Sequence, residues 1–236
     1  MNKFFFILSF SLSSFFSNAA HPEETKPPIS KNFDLASFQG VSLSSSFDVS
    51  IEYGQQQEVT ITGSEAFFEK LEVKVEKGIL FLGMKKGKYK NLDLKAKIII
   101  PHLTFGGIVG SGDMIISNFS NLTDLKLRIS GSGDITATKE LYVKNNLEVQ
   151  ITGSGDVQIN GSAQHSAISV SGSGECKAAN FKTNSNSTRI TGSGNVEINA
   201  AKEVEVQLSG SGNLYYKGNP SIRQRITGSG NVKPQS

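Results

Sequence analysis

Acidic and amide side chains recur along the second half of the chain, each directly after a Gly-Ser-Gly triplet. These side chains are Asp113, Asp134, Asp156, Glu175, Asn195, Asn213 and Asn231. Regularly spaced carboxylates could bind a divalent cation, or could supply the acid and base that cleave a polysaccharide. Both chemistries require converging oxygens, whereas a regular repeat sets the carboxylates in a line. We therefore expect no metal site, with a weakly held cation on the four acidic residues as the alternative.

Hydroxyl side chains surround the same triplets. Thr or Ser precedes the first glycine in six of the seven copies, and Ser stands between the glycines in all of them. These positions share the outward phase of a strand with the acidic residues, so we predict three polar rows on one flat face. The candidate ligand-binding residues are Ser132, Ser154, Ser173, Ser193, Thr152, Thr191, Asp113, Asp134, Asp156 and Glu175. The same phase carries Arg128, Gln150, Arg189, Gln207 and Arg225.

The triplets themselves indicate the architecture that positions these side chains. They begin at Gly110, Gly131, Gly153, Gly172, Gly192, Gly210 and Gly228. A period near 20 residues with apolar alternation predicts a parallel β-helix, in which each coil buries its apolar face against its neighbours. The glycines fall in the inward phase, which predicts either a narrow interior or a bend at that place.

The first half of the chain has strands without the triplet. We expect residues 33–105 to form an N-terminal cap of strands, with a hairpin turn at residues 76–78 and one short helix over residues 64–70 that begins at Ser64. The GSG coils then occupy residues 106–234, in one domain with the cap. Residues 21–32 are polar and carry three prolines, so we predict a flexible leader.

Residues 1–20 predict a signal peptide. Lys3 precedes a short apolar run, and small residues follow at Ala19 and Ala20. The protein is then exported to the periplasm, the cell surface or the medium, and the mature chain has no membrane span. Without Lys3 the chain has 23 basic and 21 acidic residues, a balance that does not favour nucleic-acid binding.

Reactive side chains are few and scattered. Cys176 is the only cysteine, so no internal disulfide can form, and its inward phase predicts a small core residue. His21, His102 and His165 share no neighbourhood in the repeat, so no triad or zinc site is predicted. We expect no cofactor and no enzyme activity.

Residues 33–234 resemble the family of auto-transporter adhesin head GIN domains, which are exported bacterial proteins. The resemblance rests on FDVSIEYGQQQEVTITGSEAFFEKLEVKVEKGILFLGMKKG, on the repeated GSGD and GSGN, and on the closing YYKGNPSIRQRITGSGNVKP. It implies a right-handed β-helix-like fold, an exported location and a Gram-negative source. It supplies no catalytic residues.

These observations lead to a binding hypothesis with two alternatives. We predict an exported, non-enzymatic β-solenoid that binds a glycan or another envelope component through its flat Ser/Thr/Asp/Asn face. The first alternative is a structural module whose exposed end coil pairs with another chain. The second is a polysaccharide-cleaving enzyme that uses Asp113, Asp134 and Asp156.

Overall fold

The computed structural model describes residues 27–235, and most of them lie in β-strands. The elements in chain order are β1 (Ile29–Asn32), β2 (Gly40–Ser44), β3 (Asp48–Tyr53), β4 (Glu58–Gly63), α1 (Glu65–Phe68), β5 (Leu71–Glu76), β6 (Ile79–Met84), β7 (Lys95–Ile100), β8 (Phe105–Gly110), β9 (Met114–Ser117), β10 (Leu122–Gly131), β11 (Ile135–Ala137), β12 (Leu141–Gly153), β13 (Val157–Ser162), β14 (His165–Gly172), β15 (Cys176–Gly192), β16 (Asn195–Gly210), β17 (Asn213–Lys217), β18 (Ser221–Gly228) and β19 (Val232–Pro234). The signal peptide predicted over residues 1–20 lies outside the described residues.

Two long parallel sheets form the walls of a solenoid. Sheet 1 contains β8, β10, β14, β18 and the second halves of β12, β15 and β16. Sheet 2 contains β9, β11, β13, β17, β19 and the first halves of β15 and β16. Each coil of about 20 residues gives one strand to each sheet, and from β8 onward a GSG triplet lies between the two strands. The predicted all-β solenoid is confirmed.

The core is a stack of aliphatic side chains in register. In sheet 1, Ile129, Ile151, Val170, Ile190 and Leu208 follow one another from coil to coil, and each is buried. Coils stack about 4.8 Å apart, so each side chain packs on its counterparts above and below. Burial of this continuous apolar surface stabilises the chain without a disulfide.

Cys176 lies in this core, as its phase predicted. The side chain is fully buried, and that burial, with smaller effects from Glu197 and Asp156, raises the pKa of the thiol to about 12. The thiol therefore stays protonated at neutral pH, whereas a reactive cysteine needs the thiolate.

The N-terminal coils do not stack in chain order. In sheet 1, β2 lies between β6 and β8, and in sheet 2, β3 lies between β7 and β9. Residues 40–53 thus form a coil of the solenoid within the N-terminal strands predicted over residues 33–105. The antiparallel strands β5 and β4 pair with β6 and β7 and cover the end. The predicted hairpin turn over residues 76–78 joins β5 to β6.

Two local expectations near this end differ from the structure. Residues 29–32, at the end of the predicted leader, form strand β1, which pairs antiparallel with β4, and the hydroxyls of Ser30 and Thr62 bond at 2.7 Å. Residues 21–26 of the predicted leader lie outside the described residues. Ser64 does not cap α1 with its side chain, because its hydroxyl donates to Asp93 Oδ2 at 2.6 Å. That bond and the donation from the Ser64 N–H lower the pKa of the Asp93 carboxyl.

At the opposite end of the solenoid, no further coil stacks on β18 and β19 within residues 27–235. Within the described residues, β18 and β19 pair only with β16 and β17, and nearly all of β18 is exposed. In residues 27–235 no helix is long and apolar enough to cross a membrane, since α1 has only four residues.

Candidate functional site

The GSG triplets form a corner between sheet 1 and sheet 2. The first glycine of each triplet ends its strand with φ between 115° and 141°, which is unfavourable for residues with a Cβ. Its carbonyl oxygen accepts two N–H groups from the next coil: Gly153 O accepts from Ser173 at 2.9 Å and from Gly174 at 3.2 Å. A Cβ on Gly153 would lie 2.2 Å from the carbonyl oxygen of Gly131. Of the two expectations for the glycines, the bend is the one observed.

This corner corrects the prediction of one flat face. The row that precedes the triplets, which includes Thr152 and Thr191, lies at the end of sheet 1. The serines between the glycines lie on the bend, and the acidic row begins sheet 2. The three rows therefore wrap around an edge of the solenoid, because a positive φ redirects the chain where simple alternation would continue straight.

The acidic row is tied to the backbone of the next coil. Asp113 Oδ1 accepts the N–H of Asp134 at 2.9 Å, and Asp134 Oδ1 accepts that of Asp156 at 2.8 Å. Asp156 Oδ1 accepts the N–H of Glu175 at 2.9 Å, and the amides of Asn195, Asn213 and Asn231 continue the row. Backbone N–H groups thus compensate the stacked carboxylates.

Asp48 extends this row and Lys177 contacts it, and neither residue was identified from the sequence. Asp48 Oδ1 accepts the N–H of Asp113 at 3.2 Å, so the row begins one coil earlier. A sequence comparison could have found Asp48, because SSSFDVSI aligns with GSGDMII and Asp48 then takes the position of Asp113. Lys177 Nζ lies 3.1 Å from Asp156 and 3.2 Å from Glu175, and these contacts raise the pKa of Lys177. Within residues 27–235, no three His, Cys, Asp or Glu side chains are grouped to hold a metal ion.

Replacement of Asp134 tests this structural role of the acidic row. Asp134→Ala removes the acceptor for the Asp156 N–H, so we expect the free energy of unfolding to fall by about 1 kcal/mol. Asp134→Asn retains an oxygen acceptor, as in the asparagine coils, and we expect a change within about 0.5 kcal/mol. Urea unfolding measures both variants. Equal destabilisation would contradict the backbone role, and a higher midpoint of the wild type in calcium would restore the cation alternative.

The side chains of the hydroxyl rows, by contrast, are free to bind a ligand. Ser132, Ser154, Ser173, Ser193, Thr152 and Thr191 are all exposed. In the part of the chain that the structure describes, none of these six hydroxyls has a protein hydrogen-bond partner, although the N–H groups of the serines are bonded to the preceding coil. We call these six residues, with their equivalents in the other coils, the hydroxyl edge.

The outer surface of sheet 1 continues from the hydroxyl edge. One row of this surface joins neighbouring residues by strand register, and we call it the outer row: Arg128, Gln150, Ser169, Arg189, Gln207 and Arg225. Two shallow hollows of about 250 and 230 Å³ lie along it and meet at Arg189. A larger groove of about 690 Å³ opens beside it, where His165 and Glu203 lie. His165 Nδ1 is 2.7 Å from Ser185 Oγ.

Comparisons with known proteins place the chain in a family of adhesin-like domains. Residues 37–220 match the family described as "Putative auto-transporter adhesin, head GIN domain". A putative adhesin from Bacteroides fragilis is 26% identical with a TM-score of 0.84, over 89% of this chain and 98% of that one. A putative lipid binding protein from Parabacteroides distasonis is 23% identical with a TM-score of 0.70, over 89% and 97%. A putative adhesin from Parabacteroides merdae is 18% identical with a TM-score of 0.67, over 89% and 97%. No curated protein matches the chain.

Proposed function

Because the chain belongs to the family of auto-transporter adhesin head GIN domains, we propose that it is an exported, non-enzymatic module that binds a glycan or another envelope component through its hydroxyl edge. Export through the signal peptide predicted over residues 1–20 would bring it to the periplasm, the cell surface or the medium. The family and the solenoid fold support an adhesin-like role.

One observation carries the ligand proposal. The hydroxyl edge presents an exposed hydroxyl on both sides of the first glycine in successive coils, and these hydroxyls make no protein hydrogen bond within residues 27–235. A hydroxyl both donates and accepts, which suits it to the hydroxyl groups of sugars. Since the coils repeat at about 4.8 Å, the edge offers the same groups many times along one line, as an extended polymer requires.

The acidic row does not favour the enzyme alternative. Asp113, Asp134 and Asp156 each use one carboxylate oxygen to bind the backbone of the next coil. A general acid and a general base would have to face the scissile bond from two sides, whereas these carboxylates lie in a single line along one edge of the solenoid. We therefore assign the row a structural role.

The end of the solenoid at β18 and β19 favours the structural alternative. Outside its pairing with β16, β18 has no neighbour among the described strands, and an unpaired edge can add a strand from another chain. Lys233 and Pro234 lie on β19 and oppose such pairing there. An interaction through this end would leave the hydroxyl edge accessible.

A glycan array tests the hydroxyl edge. Residues 21–236 are screened with and without calcium, beside Ser154→Tyr/Ser173→Tyr, which adds bulk to two adjacent coils without changing charge. We expect the variant to lose at least about 10-fold in affinity for any glycan bound, equivalent to 1.4 kcal/mol. Gln158→Tyr/Asn180→Tyr adds the same bulk to exposed positions on sheet 2 and should bind as the wild type does. Loss in both variants, or no binding by folded wild type, would contradict the proposal.

A further inference from the structure

All four arginines of the chain lie on one surface. The sequence contains only Arg128, Arg189, Arg223 and Arg225, while the remaining 20 of its 24 basic residues are lysines. Each arginine is exposed and occupies an outward position of sheet 1, three of them in the outer row. The lysines are spread along the chain, and one of them, Lys126, lies on the same surface two residues before Arg128. Since the planar guanidinium binds carboxylate, sulfate or phosphate oxygens in pairs, this placement suggests a selective surface.

These guanidinium groups are not used to hold the fold together. Among residues 27–235, none of the four arginines forms an ion pair or a side-chain hydrogen bond. Glu148, the diagonal neighbour of Arg128 in the strand register, is engaged by Lys126 Nζ at 2.8 Å and by Gln150 Nε2 at 2.7 Å. Glu205 is the register neighbour of Arg223, which stands outside the outer row.

A hollow of about 250 Å³ lies between two of these arginines. Arg189 and Arg225 flank Gln207 in the outer row, two coils or about 10 Å apart. The hollow is also lined by the hydroxyl-bearing residues Thr191, Ser209 and Thr227, and no carboxylate lines it. Two guanidinium groups, one amide and three hydroxyls thus surround this hollow, and no residue of the acidic row lines it.

We propose that this hollow binds an oxyanion-bearing sugar, a uronate or a sulfated unit, within an acidic polysaccharide. The inference rests on the proposed function and names its ligand class. Arg189 and Arg225 bind the carboxylate or sulfate groups. Gln207, which lies between the two arginines, binds the same sugar unit, and the three hydroxyls bind sugar hydroxyls. The hollow meets its neighbour at Arg189, so the polymer continues along the outer row toward Gln150.

The chemistry of this surface favours a polysaccharide over a lipid headgroup. The side chains that line the hollow from the outward phase are all polar, while Ile190 and Leu208 face the core. A membrane surface is bound through cationic residues together with apolar ones that enter the acyl boundary. The outer row has cationic residues and lacks apolar ones.

Binding measurements with matched charge variants test the site. The probes are polygalacturonate for the carboxylate, dextran sulfate for the sulfate, neutral dextran, and phosphatidylcholine vesicles containing phosphatidylglycerol. Arg189→Gln/Arg225→Gln removes two positive charges from the hollow, and Lys182→Gln/Lys217→Gln removes two from a separate hollow elsewhere on the solenoid. We expect the arginine variant to lose about 10-fold or more per guanidinium for an acidic polymer, since hydrogen bonds to charged groups are strong. The lysine variant should stay within about 3-fold, a loss attributable to net charge.

Each outcome bears on the site, provided that circular dichroism and urea unfolding show both variants folded. Selective loss with polygalacturonate or dextran sulfate supports it and identifies the anionic group. An equal loss of affinity in the arginine and lysine variants would show that only net charge matters, and would overturn the proposed site. Arginine-dependent binding to vesicles without binding to either polymer would identify a lipid headgroup instead. Binding of neutral dextran that survives the arginine changes but is lost in Ser154→Tyr/Ser173→Tyr would overturn the acidic ligand and leave the hydroxyl edge as the binding site.

Discussion

Gly153→Ala is expected to lower the free energy of unfolding by about 3 kcal/mol or more. Its φ of 124° strains any residue with a Cβ, which costs about 1–3 kcal/mol. The added methyl would also lie 2.2 Å from the Gly131 carbonyl oxygen and 3.1 Å from its carbon, so the coils must separate at the corner. That separation weakens the hydrogen bonds that cross it, including the one from Ser154 N–H to Gly131 O at 3.0 Å.

Ser154→Ala is the matched control for this experiment. It changes the adjacent residue of the same triplet, whose side chain is exposed and has no protein partner among residues 27–235. We expect its free energy of unfolding to stay within about 0.5 kcal/mol of the wild type. Urea unfolding followed by circular dichroism measures both. If Gly153→Ala behaves like the control, the corner tolerates a Cβ, and close coil stacking does not explain the glycines.

The sequence predicts the solenoid well because the repeat carries its geometry. Glycine at a period near 20 residues, flanked by alternating apolar residues, identifies both the coil length and the inward phase. It does not decide between a narrow interior and a corner, since a positive φ at one residue leaves the alternation on either side unchanged. The prediction of one flat face differs from the structure for that reason, although all three polar rows were assigned to the outward phase.

The coil formed by β2 and β3 shows a second limit. Phe47 takes the place of the second glycine there, and Asp48 takes the place of Asp113, so the triplet is lost while the stacking geometry persists. Nor could the sequence show that β6 and β7 stack outside this coil, because parallel pairing between distant segments leaves no local pattern. Order of stacking is a tertiary property.

The function of the acidic row was equally undetermined. A line of carboxylates is compatible with cation binding, with solvation or with backbone acceptance, and the choice depends on where the next N–H points. The corner turns each N–H of the row toward the carboxylate of the preceding coil, as between Asp134 and Asp113 at 2.9 Å. From the sequence, Arg128, Arg189 and Arg225 were recognised only as residues that share the outward phase of the hydroxyl rows, and Arg223 was not identified. Their lack of partners within the described residues, which suggests a ligand, is visible only in three dimensions.

The second large effect is expected in the core, where Asn186 interrupts the aliphatic stack. Asn186 is 4% exposed and Thr188 is 1% exposed; Ser166 and Val204 are the register neighbours of Asn186, while Ile168 and Val206 are those of Thr188. Asn186 Nδ2 donates to Ser166 Oγ at 2.8 Å, and Thr188 Oγ1 donates to Asn186 Oδ1 at 2.7 Å. Asn186→Leu leaves both hydroxyls without this partner, so we expect a loss of about 2–3 kcal/mol in the free energy of unfolding, since each buried orphan costs about 1–3 kcal/mol.

Removal of the whole polar cluster distinguishes this cause from a packing defect. In Ser166→Ala/Asn186→Leu/Thr188→Val no buried hydroxyl or amide of the cluster remains, and leucine closely matches the shape of asparagine. We expect this triple variant to unfold within about 1 kcal/mol of the wild type, or to be more stable, because apolar groups of the same shape replace all the partners together. If it is at least as unstable as Asn186→Leu alone, the single loss comes from steric misfit at Asn186. Recovery would show that the loss in Asn186→Leu comes from the buried hydroxyls of Ser166 and Thr188, which that change leaves without their partner.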